Sequence, residues 1–506
     1  MWALLLLAQP LQEPSLEALL PSSDDRLAAI QAAGETGDAR YLPPLIDLLA
    51  FATEPEEWYA TLDALGVLLT EDLRSVERPW RTLRLRLGGQ IAGHPSYPAF
   101  KRRLLSETVD PRYDALLAPS EGSELRHELV DWGGVEVDGI PALVDPPVVP
   151  GAVAGYLAPE EPVFGLSIDG HARAYPLRIL DWHELANDRL GETAFALTYC
   201  TLCGSGIAYR TGDSDERDLF RTSGLLLESN KLMYDDRTGS LWSQFRGQPL
   251  HGARVDEAPL AVLPLELVPW AVWLERNPQT TVLDLATGFE RDYRVGAAYG
   301  DYFASPETMF PARGSDRLGP RAKERVLVVR LDQASVVLDA TRLVRRGIDR
   351  YDLSDPPLLV VSAPRPRPAF PEQWRGIAED LDAWRELDAD ALLAALHNQP
   401  ALAHFMGVDL LLELDDAVRL EVLAAATESD EWTLPAKVRV QAAEYALARD
   451  LRVYEAPGRT LRWSSGQLVD EQGAPWIADD EALLGPEGVG YRRVPSHLAF
   501  RFAANR

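Results

Sequence analysis

Apolar positions change their period three times along this chain. Between residues 16 and 118 they recur near the helical repeat: Leu16, Leu19 and Leu20, then Leu27 and Ile30, then Leu42, Leu45, Ile46, Leu48 and Leu49. Spacings of three and four place such residues on one helix face, and Asp24 and Asp25 supply a start signal. Loosely similar helix pairs over 23–73 predict two or three HEAT-like units. From about Leu129 the texture shortens. Gly133, Gly134, Gly139, Pro141, Pro146, Pro147 and Pro150 divide short valine-rich runs, the mark of turns and strands. Residues 163–168, 195–199 and 326–331 predict buried strands. Helical texture returns over 380–450, through Leu392, Leu393, Leu396, Val440, Ala443 and Ala446. Short strands resume at 453–454, 461–463 and 467–469.

The strand pattern also echoes itself. The run Val163-Phe-Gly-Leu-Ser-Ile-Asp169 aligns with Val326-Leu-Val-Val-Arg-Leu-Asp332, an offset of 163. The same offset pairs Leu180 with Leu343 and 196–198 with 359–361. Pro264, followed by Trp270 and Trp273, is matched by Pro495, followed by Phe500 and Phe502. The expected fold is α+β: a β-rich core of two pseudo-repeated units, flanked N-terminally and interrupted by helical, HEAT-like segments. The expected boundaries are 1–15 for a truncated signal segment, 16–118 for the helical region and 135–325 for the first core unit. Residues 326–369 with 451–506 form the second core unit, and 370–450 the helical insertion. At the offset, His183 faces Arg346, Cys200 faces Ala363 and Cys203 faces Pro366. The candidate chemistry therefore falls in the first unit.

Charge narrows the functional classes. The 506 residues carry a net charge of -28, which argues against sequence-independent nucleic-acid binding. The Arg-rich stretch 78–103 reads as a solvated helix face. No run approaches the roughly 20 apolar residues of a membrane span. The short apolar stretch Trp2 to Ala8 resembles the core of a secretory signal and predicts an extracytoplasmic protein, periplasmic, envelope-bound or secreted.

The chain has two cysteines, and they lie three apart, in Thr198-Tyr199-Cys200-Thr201-Leu202-Cys203-Gly204. A C-x-x-C pair can bind one metal, form a short-loop disulfide or hold an activated thiolate. With His183 as third donor and Met233 as fourth, the set suits copper or zinc in a soft-metal or redox site. Glu184 or Asp188 would orient the imidazole. A second reading makes the chain a cysteine-dependent enzyme, with Cys200 as nucleophile and His183 as base. Ser223, Ser229, Asn230, Tyr234 and Gln244 would then contact substrate. A third reading is a non-catalytic envelope binding module with a structural disulfide.

Several motifs in fixed order resemble one family. They are Asp138-Gly139-Ile140-Pro141-Ala142, Ala174-Tyr175-Pro176-Leu177-Arg178-Ile179-Leu180, Trp182-His183-Glu184 with Asn187-Asp188, and Tyr199-Cys200 with Leu202-Cys203-Gly204. Ser223-Gly224-Leu225, Met233-Tyr234-Asp235 and Gly239-Ser240-Leu241-Trp242-Ser243-Gln244 complete them. Together they resemble domain-of-unknown-function family 3179, prokaryotic proteins often exported or lipid-anchored. The resemblance carries no established activity. Thr201 replaces the family's usual proline, and Ser205 its usual threonine; neither is a proposed ligand. The helical segments look like additions, expected to serve as packing surfaces for an envelope protein partner, while the site itself takes an unknown small molecule.

Overall fold

Proline at the first turn starts four helices of the N-terminal region, where its missing N–H has no intrahelical partner to lose. The computed structural model describes residues 13–362 and 451–500, apart from 160, 214–216, 305–306, 314, 316–321, 324, 332–334, 341–342, 344–347, 457–459, 465–466, 479–481, 487–489 and 495. The expected helical insertion and most of the expected leader lie outside the described residues. Two compact units emerge, one of residues 1–139, 221–259 and 310–316, the other of 140–220, 260–309 and 317–506.

The first unit joins helices to a sheet. Its helices are α1 (Arg26–Glu35), α2 (Leu42–Phe51), α3 (Pro55–Leu69), α4 (Pro79–Leu87), α5 (Tyr97–Thr108) and α6 (Tyr113–Leu116). Leu45, Ile46, Leu65, Leu83, Phe100 and Leu104 share one apolar core. A Cβ on Gly34 would strike the Ala64 backbone, so only glycine lets α1 and α3 approach this closely. The sheet runs β1-β9-β10-β11-β12, from β1 (Val130–Trp132), β9 (Phe220–Leu227), β10 (Asn230–Asp235), β11 (Leu241–Ser243) and β12 (Pro249–His251). The Arg-rich stretch departs from its expected solvated role. Arg78 and Arg86 are exposed, but Arg84 and Lys101 are buried because each neutralises buried acid groups.

The second unit opens with two five-stranded sheets. One, ordered β13-β8-β7-β6-β2, contains β2 (Leu143–Val144), β6 (Leu185–Leu190), β7 (Thr193–Cys200), β8 (Ser205–Asp213) and β13 (Val262–Leu263). The other, ordered β14-β4-β5-β15-β3, contains β3 (Val148–Pro150), β4 (Pro162–Ile168), β5 (His171–Pro176), β14 (Glu266–Pro269) and β15 (Thr281–Leu283). Helix α7 (Leu177–His183) joins β5 to β6, α8 (Trp270–Arg276) follows β14, and α9 (Gly300–Ala304) is a short later turn. All of β7 is buried, including the strand expected over 195–199. Three further sheets follow. They are β17-β16-β26, from β16 (Arg325–Arg330), β17 (Ser335–Asp339) and β26 (Ser496–Phe500), and β18-β19-β20, from β18 (Ile348–Tyr351), β19 (Leu358–Ser362) and β20 (Leu451–Glu455). The last is a meander of β21 (Leu461–Ser464), β22 (Gln467–Asp470), β23 (Pro475–Ala478), β24 (Ala482–Leu484) and β25 (Gly490–Arg492).

Pairing registers recur between these sheets. Val163↔Pro176 through Ser167↔Ala172 on β4 and β5 correspond to Val326↔Asp339 through Arg330↔Ser335 on β16 and β17, each residue 163 positions on. Leu185↔Thr198 through Asp188↔Phe195 correspond in the same way to Ile348↔Val361 through Tyr351↔Leu358. Ala196↔Tyr209 and Thr198↔Ile207 correspond to Leu359↔Tyr454 and Val361↔Arg452, with the partner strand now 245 positions on. Val163↔Val268 corresponds to Val326↔Ala499. Two hairpins share a device as well. Asp235 accepts from the Thr238 amide and the Trp242 indole, and Asp470 from the Gln472 and Ala474 amides and the Trp476 indole.

Glycine at 165 is a packing requirement. A Cβ there would enter the ring of Trp273, which is fully buried. Gly165→Ala should therefore cost about 1–3 kcal/mol, the usual penalty for overpacking a rigid core. Urea unfolding checks this, with Gly155→Ala, whose Cβ meets open space, as the neutral comparison.

Candidate functional site

The C-x-x-C segment forms the tip of a hairpin. Cys200 ends β7 and pairs with Ser205 at the start of β8, leaving residues 201–204 as the loop. Thr201–Cys203 is a 3-10 turn, and Gly204 closes it at φ 56, in the left-handed region that favours glycine. Cys200 caps this turn from the strand side and Cys203 is its last residue. Cys200 is 2% exposed and Cys203 0%. Both are thiols rather than a disulfide. Two side chains clamp the loop by its carbonyls: the Tyr302 hydroxyl donates to Leu202 O at 2.6 Å, and Arg325 Nη1 to Gly204 O at 2.7 Å.

Acid groups surround this tip. Glu184, at φ 54 just past α7, receives the Tyr199 amide on its carbonyl at 2.7 Å, which ties the helix end to the last turn of β7. Its carboxylate accepts from the Tyr299 hydroxyl at 3.3 Å. Tyr299 is held well above the usual phenol range by burial first, then by Glu184, Asp181 and Cys200. Asp181 is 8% exposed, and its Oδ1 has no hydrogen-bond partner. Burial, and then the neighbouring Glu184, pushes its carboxyl well above the ordinary 3.8, so Asp181 stays protonated where a surface aspartate is charged. Burying a polar atom without a partner is costly, and such costs concentrate at functional sites.

His183 ends α7 but is engaged elsewhere. Its Nδ1 donates to Pro141 O at 2.8 Å, which leaves Nε2 to accept from the Tyr293 hydroxyl at 2.6 Å. Tyr293 is in turn bonded to Thr287 Oγ1 at 2.6 Å. Burial is the largest effect on the imidazole and lowers its pKa, so the ring is neutral. Asp188 is bonded to Arg173 and Tyr175 at 2.6 Å each. Among the described residues no three His, Cys, Asp or Glu side chains are grouped to hold a metal ion.

The other expected residues lie in the first unit. Met233 is fully buried on β10, Ser223 donates to Leu232 O at 2.6 Å, and Asn230 donates to Gln244 at 2.8 Å. Tyr234 donates to Asp138 at 2.8 Å, and Ser229 is buried at φ 68. Sequence spacing missed Asp181 as a site group, along with Tyr293, Tyr299, Tyr302 and Arg325. The one local signal was the aromatic density of Tyr293, Tyr299, Tyr302 and Phe303, a hundred residues from the cysteines.

A family model described as "Protein of unknown function (DUF3179)" matches residues 137–401, just over half of the chain. The chain belongs to the DUF3179 family. No curated protein and no solved structure matches it. The matched DUF3179 span contains Asp181, His183, Glu184, both cysteines and the Tyr293–Tyr302 segment.

Asp181 should leave a stability signature. Its folded-state pKa lies above the unfolded value, so the native state binds more protons than the unfolded chain between the two. Stability is lost as pH rises from the unfolded pKa toward the folded one. Asp181→Asn should raise the melting temperature at pH 7 and lose that advantage below about pH 4, where both states are protonated. A calorimetric pH series on the two proteins measures it; an equal advantage at pH 3 and pH 7 contradicts the assignment.

Proposed function

We propose that the DUF3179 unit houses a proton-coupled dithiol centre acting on a small molecule, with Cys200 and Cys203 as its two-electron couple. The carrying observation is two enclosed cysteines at the two ends of a clamped turn, with Cys200, Glu184 and Asp181 all acting on Tyr299. Oxidation breaks two S–H bonds and forms one S–S bond, and the two electrons and two protons reduce a small disulfide to two thiols, or a peroxide to an alcohol and water. The Glu184 carboxyl, which accepts a hydrogen bond from Tyr299, relays one of those protons. Burial of the thiols favours a small oxidant over another protein's disulfide. In this reading His183 sets the end of α7 through Pro141 and Tyr293 and is not the base on Cys200.

A soft metal, copper or zinc, held by the same sulfurs is the second reading. It is favoured by the buried Asp181 Oδ1, an oxygen donor without a partner. Action outside the cytoplasm belongs to the proposal too, supported by the apolar stretch Trp2 to Ala8. We also read the core as a duplicated unit whose second copy lost its polar site and gained an 82-residue insertion between β19 and β20. The conserved 163-position register supports this reading, and the shift from 163 to 245 gives the insertion its length. The helices α1 to α5 are read as HEAT-like on their paired packing.

Intact mass after equilibration in graded glutathione buffers tests the dithiol. Wild type should lose two hydrogens between reducing and oxidising poise, and Cys203→Ser should not. Two intact thiols at every poise, in a folded protein, end this reading. Copper or zinc bound stoichiometrically after anaerobic purification, and lost in Cys200→Ser, would put the metal reading in its place.

A further inference from the structure

The first unit contains a cavity of about 310 Å³ that the proposed thiol chemistry does not use. Its walls include four half-buried aromatic rings, Phe51, Trp80, Trp132 and Phe310. They form two pairs: Phe51 tilted against Trp132 with centroids 5.6 Å apart, and Trp80 edge-on to Phe310 at 6.4 Å. The polar lining is built from Asp47, Lys101 and Asp131.

That lining is preorganised. Asp47 is bonded by Arg84 and by the Tyr97 hydroxyl at 2.6 Å. Lys101 Nζ donates to the carbonyls of His127, at 2.9 Å, and Val130, and lies 3.3 Å from both Asp47 and Tyr97. Its protons are therefore spent within the protein. Asp131 differs. It is 4% exposed, and its Oδ1 lies 2.9 Å from Arg84 Nε as an ion pair whose geometry leaves both atoms without a hydrogen bond. Two carboxylates and two backbone carbonyls thus surround the two cations. Within the cavity's polar lining of Asp47, Lys101 and Asp131, the oxygen without a hydrogen bond belongs to Asp131.

Aromatic faces attract cations through the ring quadrupole, most strongly where water is excluded, and a carboxylate completes such a cage. We propose that this cavity binds a small organic ammonium ion, with Trp80, Trp132, Phe51 and Phe310 around the cationic head and Asp131 as its counter-charge. The volume, at the low end of ligand pockets, limits the guest to a head group with a short tail. The chain's net charge of -28 favours approach of a cation.

Isothermal titration of the full-length protein with tetramethylammonium and choline tests the site, with 3,3-dimethyl-1-butanol as choline's neutral isostere. Saturable binding of an ammonium ion is expected, with the isostere about tenfold weaker or worse. Trp132→Leu and Asp131→Asn should each weaken the ammonium about tenfold while circular dichroism stays native. If Asp131→Asn does not fold, Trp80→Leu at the half-buried wall replaces it. Equal binding of the isostere, no saturable binding of either ammonium ion to folded wild type, or unchanged affinity in the folded variants overturns the proposal.

Discussion

One backbone hydrogen bond sets the geometry of the candidate centre. The Tyr199 amide donates to the Glu184 carbonyl at 2.7 Å, and the Glu184 amide closes α7 on Leu180 O at 2.6 Å. Glu184 itself takes a left-handed conformation, so the chain turns from α7 straight into β6. The β6–β7 ladder then begins at Leu185↔Thr198. Asp181 and Glu184 at one end of a helix, and Cys200 at the end of a strand, consequently share one neighbourhood. A different turn at Glu184 would shift that ladder, and a one-residue slip reverses every side chain on β6.

Most buried acids are matched by cations, as Asp188 is by Arg173, and Asp181 stands apart from them. In the first unit, Asp47 and Asp131 are matched by Arg84 and Lys101, an arrangement that offsets much of the desolvation cost and leaves one acceptor under-used. In the second, Asp181 has no cation beside it and responds by holding its proton.

Strand pairing also constrains how the core can vary. Residues 163 apart keep the same partners across nine pairs of two separate sheet regions, although almost none of the side chains are alike. Backbone register depends on alternation and turn geometry more than on side-chain identity. Residues 201–204, with Cys200 before them and Cys203 among them, join β7 to β8, and the chain between the corresponding pairs of β19 and β20 is 82 residues longer.

Much of this was legible in the sequence. The switch from helical to strand periodicity near residue 129, the buried strands around 163, 195 and 326, and the loop position of Cys200 and Cys203 follow from local patterning, because hydrophobic period and glycine placement act over a few residues. The partners of each polar group did not follow. His183 faces Tyr293, Asp188 faces Arg173, Cys200 shares its surroundings with Tyr299, and Arg84 leaves its arginine-rich neighbours to meet Asp47 and Asp131. Those pairings join positions as much as 110 residues apart, and only packing decides which buried groups must satisfy one another.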